Sequence, residues 1–327
     1  MKQTSESARV SPVGMDVRGA FREGIARLRD AKVPSHTLAA ELLLMHALHR
    51  DRTWIYTHPE ALLDPAVAEK YFALVARRAA GEPTQYIIGK QEFWGLEFEV
   101  TPAVLIPRPE TEHVMEVALE RLGPRGIKIN LATGAPSSPL RIADVGTGSG
   151  CLAVALAWQL PHAEIFATDI SAAALEVARR NATRHAVADR IHFLECDLLD
   201  GFATGESPRV GARHAVPLRR NHQALLDLIV SNPPYVARNQ AHDLAREIRE
   251  HEPASALFGG PTGVEIYERL IKQAGGLLRA GGILVLELGY NSAAHVRALL
   301  DAQLDWGIIR ITNDLAGIPR VIAAERL

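Results

Sequence analysis

The sequence predicts an α/β protein, a doubly wound and mostly parallel sheet preceded by a small helical domain and a β-hairpin linker. Three observations predict it. Apolar residues follow helical spacing up to residue 80, strand-like runs alternate with helical patterns from Arg141 onward, and the last two strand-like runs are joined too tightly for a crossover helix.

In chain order, residues 1–14 are polar and read as a flexible tail. Val17 to Leu28, His36 to His49 and Pro65 to Ala80 carry helical apolar spacing, which predicts a helical domain over 15–85. The period then changes. Phe93, Leu96, Phe98 and Val100 are interleaved with Glu97 and Glu99, and Trp94-Gly95 stands where a turn would, so 86–107 reads as a hairpin linker. Pro109, Glu110 and Glu112 suit the first turn of a helix running to about Leu122, because proline has no donor to lose there and carboxylates favour the positive helix end. Gly123 to Pro139 reads as a surface connection within the larger domain, which spans 108–327.

Strands are predicted at Arg141 to Val145, Glu164 to Thr168, Ile191 to Glu195, Leu225 to Val230 and Gly282 to Leu288. Helices are predicted around 151–160, 172–184, 264–278 and 292–301. Ile308 to Thr312 and Arg320 to Ala324 follow with only Asn313 to Pro319 between them, which predicts an antiparallel pair at the C-terminal edge. Residues 203–223, rich in basic and turn-forming residues, read as a mobile surface loop or as a basic contact patch.

Composition narrows the classes. With 47% hydrophobic residues in 327, the chain has material for a real core. The longest apolar runs, such as Cys151 to Trp158, are shorter than a membrane span, and the start MKQTSESARV lacks the apolar centre of a secretory signal. A soluble, cytoplasmic protein without membrane contact is expected. Two cysteines without C-x-x-C spacing and thirteen histidines without H-E-x-x-H predict no metal site. A formal net charge of −2 disfavours direct nucleic-acid binding.

Asp144-Val145-Gly146-Thr147-Gly148-Ser149-Gly150 follows the first strand and opens a helix, so a bare backbone can approach a nucleotide-like ligand. The glycines equally suit a tight strand-to-helix turn. Asp169 ends the second strand about where such folds place a ribose-binding carboxylate, although it competes with Ser171 for the role of helix cap. A dinucleotide fingerprint would need glycine at position 151, which is Cys151, so a dehydrogenase is disfavoured. The G-x-G-x-G spacing resembles the first motif of class I S-adenosylmethionine-dependent methyltransferases, a Rossmann-like family whose sheet also ends in an antiparallel strand. In that resemblance Asp197-Leu198, after the third strand, contacts the adenine ring; a solvated aspartate beside a core leucine is the plainer alternative.

The fourth strand ends in Asn232-Pro233-Pro234-Tyr235. The prolines remove two donors and stiffen the backbone, leaving carbonyl oxygens free to accept. The Asn232 side-chain oxygen and the Pro233 carbonyl can receive both N–H groups of a planar NH2 and aim its nitrogen at a sulfonium methyl, with Tyr235 stacked on the substrate plane. Methyl transfer would be a direct displacement needing no covalent intermediate. A plain turn at a strand end is the alternative.

N-P-P-Y is shared by enzymes that methylate adenine N6 and by those that methylate glutamine. The remaining motifs separate them. Gly81-Glu82-Pro83-Thr84-Gln85-Tyr86-Ile87-Ile88-Gly89, Phe93 to Phe98 and Leu105-Ile106-Pro107-Arg108-Pro109-Glu110-Thr111-Glu112 closely resemble signatures of the HemK/PrmC family of peptide chain release factor N5-glutamine methyltransferases, as do His251 to Gly263 and Leu286 to Tyr290. The resemblance runs from the helical domain to the chain's end. It implies methyl transfer from S-adenosylmethionine to the glutamine of the G-G-Q motif in class I release factors, with the helical domain helping to hold the protein substrate. By motif, Gly146, Thr147, Gly148, Ser149, Gly150, Asp169, Asp197, Leu198 and Asn232 would bind cofactor, and Asn232 to Tyr235 would hold the glutamine. Arg108 and Glu110 would line the site, the helix-start role of Glu110 standing beside that. The chain departs from the family at Gly259-Gly260-Pro261-Thr262-Gly263, where an aspartate is frequent, and in the longer 203–223 stretch. Ribosomal protein L3, adenine in nucleic acid, or a non-catalytic role in binding a translation factor are the rival readings.

Overall fold

The computed structural model describes residues 14–126, 139–203 and 226–327. All but Gly14 of the expected tail, most of the 123–139 connection and all but Ala203 of the 203–223 loop lie outside them. The chain divides into two compact units, one running to Gly89 and including Arg246–His251, the other comprising the rest from Lys90.

The first unit holds α1 (Val17–Asp30), α2 (His36–Leu48), α3 (Arg52–Thr57), α4 (Pro65–Ala79) and α5 (Thr84–Ile88). Aspartates start three of them. Asp16, Asp51 and Asp64 accept backbone N–H groups of Gly19, Trp54 and Ala66 at 2.7–2.8 Å, and Pro65 occupies the first turn of α4. Leu28, Leu43, Leu44, Tyr71 and Val75 form its buried core.

The second unit begins with a hairpin, β1 (Lys90–Phe93) and β2 (Leu96–Glu99), turned at Trp94 and Gly95. Both turn residues have positive φ, as a two-residue hairpin demands. A 3-10 turn at Pro109–Thr111 leads into α6 (Glu112–Gly126), whose helical geometry breaks at Gly123, next to the expected end at Leu122. There follow β3 (Arg141–Val145), α7 (Cys151–Gln159), β4 (Glu164–Asp169), α8 (Ala172–Arg184), β5 (Ile191–Glu195), the short α9 (Asp200–Ala203) and β6 (Leu226–Ser231). Next come β7 (Val236–Ala237), then α10 (Arg246–His251), which belongs to the first unit, and then α11 (Ala254–Leu257), β8 (Phe258–Gly260), α12 (Glu265–Leu277), β9 (Leu278–Glu287), α13 (Ala293–Asp301), β10 (Trp306–Asn313) and β11 (Pro319–Arg326).

Seven strands form the main sheet in the order β10-β11-β9-β6-β3-β4-β5. From β9 to β5 neighbours are parallel, whereas β11 is antiparallel to both β9 and β10, as the short Asn313 to Pro319 connection required. Alternate residues feed opposite faces. Ile142, Val230 and Val285 join the core under α6 and α7, while Ala143, Ile229 and Leu284 join the core under α12 and α13. Burying one such Ile or Leu contributes about 1.5–3 kcal/mol, so the central strands are among the strongest determinants of the fold. The elements without a sequence signal, α3, α5, α9, α10, α11, β7 and β8, are too short for a hydrophobic period to register.

Candidate active site

Chain order and sheet order part company at β3. Strand β4 lies on one side of it and β6 on the other, so the carboxyl ends of β3 and β6 flank the crevice where open α/β sheets bind ligands. Val145 pairs with Ser231 across this gap, and the Ser231 hydroxyl donates to the Val145 carbonyl at 2.7 Å. The glycine loop and the N-P-P-Y segment therefore start side by side.

The loop is shaped by three glycines with positive φ, Gly146, Gly148 and Gly150. A Cβ at Gly146 or Gly148 would stand in open space, whereas one at Gly150 would press on Ala178 at 3.0 Å. The N–H groups of Gly146 and Thr147 both donate to the Thr168 carbonyl at 2.9 Å, which folds the loop over the end of β4. Beneath it Asp144, 1% exposed, accepts from the Thr147 hydroxyl at 2.6 Å and from Ala153 N–H at 3.0 Å. Burial pushes its carboxyl up to about 7 against those two hydrogen bonds. Asn181 braces the other side, donating to the Ser149 carbonyl at 2.8 Å and pairing with both backbone groups of Glu99.

Asp169 accepts from Gly148 N–H and Ser171 N–H, each at 2.9 Å. Ser171 itself caps α8 through Ala174, so the competition between the two is resolved with Asp169 left facing the loop. Burial raises the Asp169 carboxyl above its usual range despite the backbone donors. A cavity of about 240 Å3 opens in front of it, lined by Gly146, Gly148, Asp169, Asp197, Leu198 and Pro234 among others, with Ile170 and Phe258 adding apolar wall. Asp197 is paired there with Arg269 at 2.6 Å, and both side chains are partly open to solvent.

Other sequence-predicted residues do not line this cavity. Thr147, Ser149 and Gly150 face protein and hold the loop's shape. Asn232 donates through Nδ2 to the Thr111 hydroxyl at 3.0 Å, and Thr111 donates to the Glu287 carboxylate at 2.6 Å. The Tyr235 ring lies against Gly289, where a Cβ would fall 2.6 Å from Cδ2, and its hydroxyl reaches Glu287. The phenol is pushed above its ordinary range by burial first and then by the Glu287 charge. Arg108 pairs with buried Glu252 at 2.6 Å; Glu110 sits in the first turn of the 3-10 segment, 3.9 Å from Arg320.

The N-P-P-Y backbone is held from behind. Strand β7 pairs with β8, and a Cβ at Gly259 or Gly263 would fall on the Pro234 or Tyr235 carbonyl oxygen, closer than carbon and oxygen can approach. Thr262, where the related motif has aspartate, donates through both backbone and hydroxyl to Glu265 at 2.9 Å.

Sequence similarity now adds to this geometry. Residues 19–89 match the family model described as PrmC N-terminal domain, and residues 131–210 match that described as Methyltransferase small domain. The release factor glutamine methyltransferase of Koribacter versatilis is 39% identical over 312 residues, 95% of this chain and 99% of that one. The chain belongs to the release factor glutamine methyltransferase family. The Moorella thermoacetica member is 40% identical over 95% of this chain and 99% of its own, and the Chlorobaculum tepidum member 43% identical over 85% and 87%. Among solved structures, the hMettl16 catalytic domain in complex with a MAT2A 3′UTR hairpin superposes with a TM-score of 0.50 at 17% identity, covering 77% of this chain and 81% of that one, which shows the shared fold. The methyl donor of the glutamine methyltransferase family is S-adenosylmethionine.

Several residues that shape this family member's site were missed from sequence. Glu287 had a signal, a carboxylate inside the apolar run of a central strand. Asn181 had one too, since it falls on the buried stripe of α8. Thr111 lay inside the Leu105 to Glu112 signature with nothing to mark its role, and Arg269 had no signal.

Proposed function

We propose that the protein transfers a methyl group from S-adenosylmethionine to the side-chain amide nitrogen, N5, of the glutamine in the G-G-Q motif of class I peptide chain release factors. One observation carries the chemistry: a proline-stiffened acceptor segment begins beside a glycine-walled cavity on the neighbouring strand.

The cavity's residues fit the cofactor. Gly146 and Gly148 leave room where side chains would stand, and Asp169 keeps acceptor capacity beyond its backbone donors to receive a ribose hydroxyl. Leu198 and Ile170 offer apolar contact to a flat base, and Asp197, steadied by Arg269, offers an acceptor at its edge. Thr147, Ser149 and Gly150 act as the loop's support. When bound, S-adenosylmethionine would supply a methyl on a sulfonium sulfur, the N–C bond forming as the C–S bond breaks, with S-adenosylhomocysteine leaving as a neutral thioether and the proton lost from the amide nitrogen passing to water.

The protein's part is orientation. Asn232 Oδ1 and the Pro233 carbonyl each accept one N–H of the glutamine amide, which fixes the plane of a weak nucleophile whose lone pair is otherwise delocalised. Pro234 contributes to the cavity wall, so Asn232 and Pro233 stand where substrate and cofactor spaces meet. Tyr235, engaged with Gly289 and Glu287, closes the substrate side, and Arg108 with Glu110 lies near the start of α6. Residues 15–85 would help hold the release factor, leaving 108–327 to catalyse.

The test is incubation with S-adenosylmethionine and a purified, unmodified class I release factor, followed by peptide mass spectrometry with fragmentation across G-G-Q. A methyl on that glutamine side chain is expected. No methyl there, with cofactor binding intact, would redirect the activity to ribosomal protein L3 or to adenine in nucleic acid.

A further inference from the structure

We infer that Glu287 and Thr111 are positioning residues which decide which end of the Asn232 side-chain amide faces the substrate. This rests on the proposal that Asn232 accepts a substrate N–H.

The three groups come from distant parts of the chain, the turn before α6, the end of β9 and the end of β6. Thr111 Oγ1 lies 2.6 Å from Glu287 Oε2 and 3.0 Å from Asn232 Nδ2. An ionised carboxylate can only accept, so the single hydroxyl proton of Thr111 must point at Glu287. What Thr111 then turns toward Asn232 is a lone pair. The Asn232 NH2 satisfies it, and Oδ1 is left over for the substrate. The flipped amide would set two acceptors 3.0 Å apart and would present an NH2 group to the substrate's own NH2.

Burial makes the chain of bonds decisive. Thr111 and Glu287 are each 2% exposed, so bulk water does not compete for these hydrogen bonds. A carboxylate there costs desolvation that an apolar residue would avoid, which suits a group kept for directing hydrogen bonds rather than for packing. Its surroundings hold it near balance. Burial is the largest influence and opposes the charged form together with the Glu110 carboxylate, while the Thr111 hydroxyl, Arg320 on β11 and the Tyr235 hydroxyl favour it. Arg108 acts on the same cluster through Tyr235, and the Tyr267 hydroxyl of α12 donates to the Glu287 backbone carbonyl at 2.9 Å. The result is a carboxyl pushed up to about 7.

Protonation reverses the chain. A Glu287 O–H donates to Thr111, whose own proton becomes free to donate to Asn232 Oδ1, and the amide turns its NH2 to the substrate. Methyl transfer therefore falls as the pH drops through the titration of Glu287.

The experiment uses the full-length protein and its Thr111→Val, Thr111→Ser and Glu287→Gln variants. Three quantities are read: kcat on a release factor across pH, affinity for S-adenosylhomocysteine, and the Asn232 side-chain amide protons by 15N NMR. Thr111→Val is expected to lower kcat about tenfold to a hundredfold with cofactor affinity unchanged, as a small misalignment of reacting groups does. Thr111→Ser, which keeps the hydroxyl, should restore most of it. The acid limb of kcat should vanish in Glu287→Gln. One Asn232 amide proton should be shifted and slow to exchange in wild type and Thr111→Ser, and ordinary in Thr111→Val. Wild-type kcat or unchanged Asn232 amide signals in Thr111→Val would overturn the inference, and so would an intact acid limb in Glu287→Gln, which decides the matter if Thr111→Val does not fold. Should wild type methylate no release factor, the proposed function fails separately, and the amide signals still decide whether the relay exists.

Discussion

The glycine loop after β3 and the N-P-P-Y segment after β6 are neighbours that solve opposite problems. In the loop, glycines lie inside the functional segment, and the missing side chains at 146 and 148 are the space a ligand would use. In N-P-P-Y the segment itself is as stiff as a backbone can be, and the glycines that matter lie elsewhere: Gly259, Gly263 and Gly289 let other strands and loops press directly on its far side. One segment yields room and the other yields rigidity. A glycine's role is thus set by what faces it, which its place in a motif does not disclose.

The comparison can be broken at four points. Asn232→Ala removes an acceptor from the rigid segment and is expected to lower turnover by about a hundredfold to a thousandfold, the scale seen when one preorganised hydrogen bond is lost. Single-turnover kinetics on a release factor will show it, with circular dichroism confirming the fold. Gly259→Ala puts a methyl on the Pro234 carbonyl without touching the segment's sequence; displacing the acceptors should reduce kcat about a hundredfold. A wild-type kcat there would mean that the bracing is idle.

Gly148→Ala should behave differently. Its φ of 55° makes a side chain cost about 1–2 kcal/mol, but no protein atom is struck, so the defect should appear as weaker S-adenosylhomocysteine binding in calorimetry, about tenfold. The last effect is on stability rather than on turnover or cofactor binding. Asp144 under the loop and Glu287 under N-P-P-Y both have carboxyls pushed up to about 7, against about 4 in an unfolded chain. Between those values the folded state holds more protons, so stability falls as pH rises from about 4 to about 7 and levels off above. Urea midpoints across that range should show the decline, and Asp144→Asn should flatten its share.

Much of the scaffold was legible because it is written locally. The β3 and β5 strands and the α8 helix begin and end where their apolar patterns do, and the antiparallel edge followed from the length of one connection. Glycine loop, Asp169 and N-P-P-Y could be ordered along the chain and placed at one sheet edge. What held them was not legible in the same way: Asn181 bonding Ser149, or Gly259 under Pro234, joins positions whose spacing carries no period.

Sequence alone determined the α/β alternation and the order of the motifs along the chain, and it nominated the residues proposed to bind and orient the ligands, since each is a property of short segments. Only the tertiary structure decided that Thr111, 176 residues from Glu287 and 121 from Asn232, stands between them. Hydrogen-bond direction is a property of the assembled cluster: a carboxylate that can only accept sets the orientation of the amide two bonds away, and no residue in that chain encodes the direction by itself.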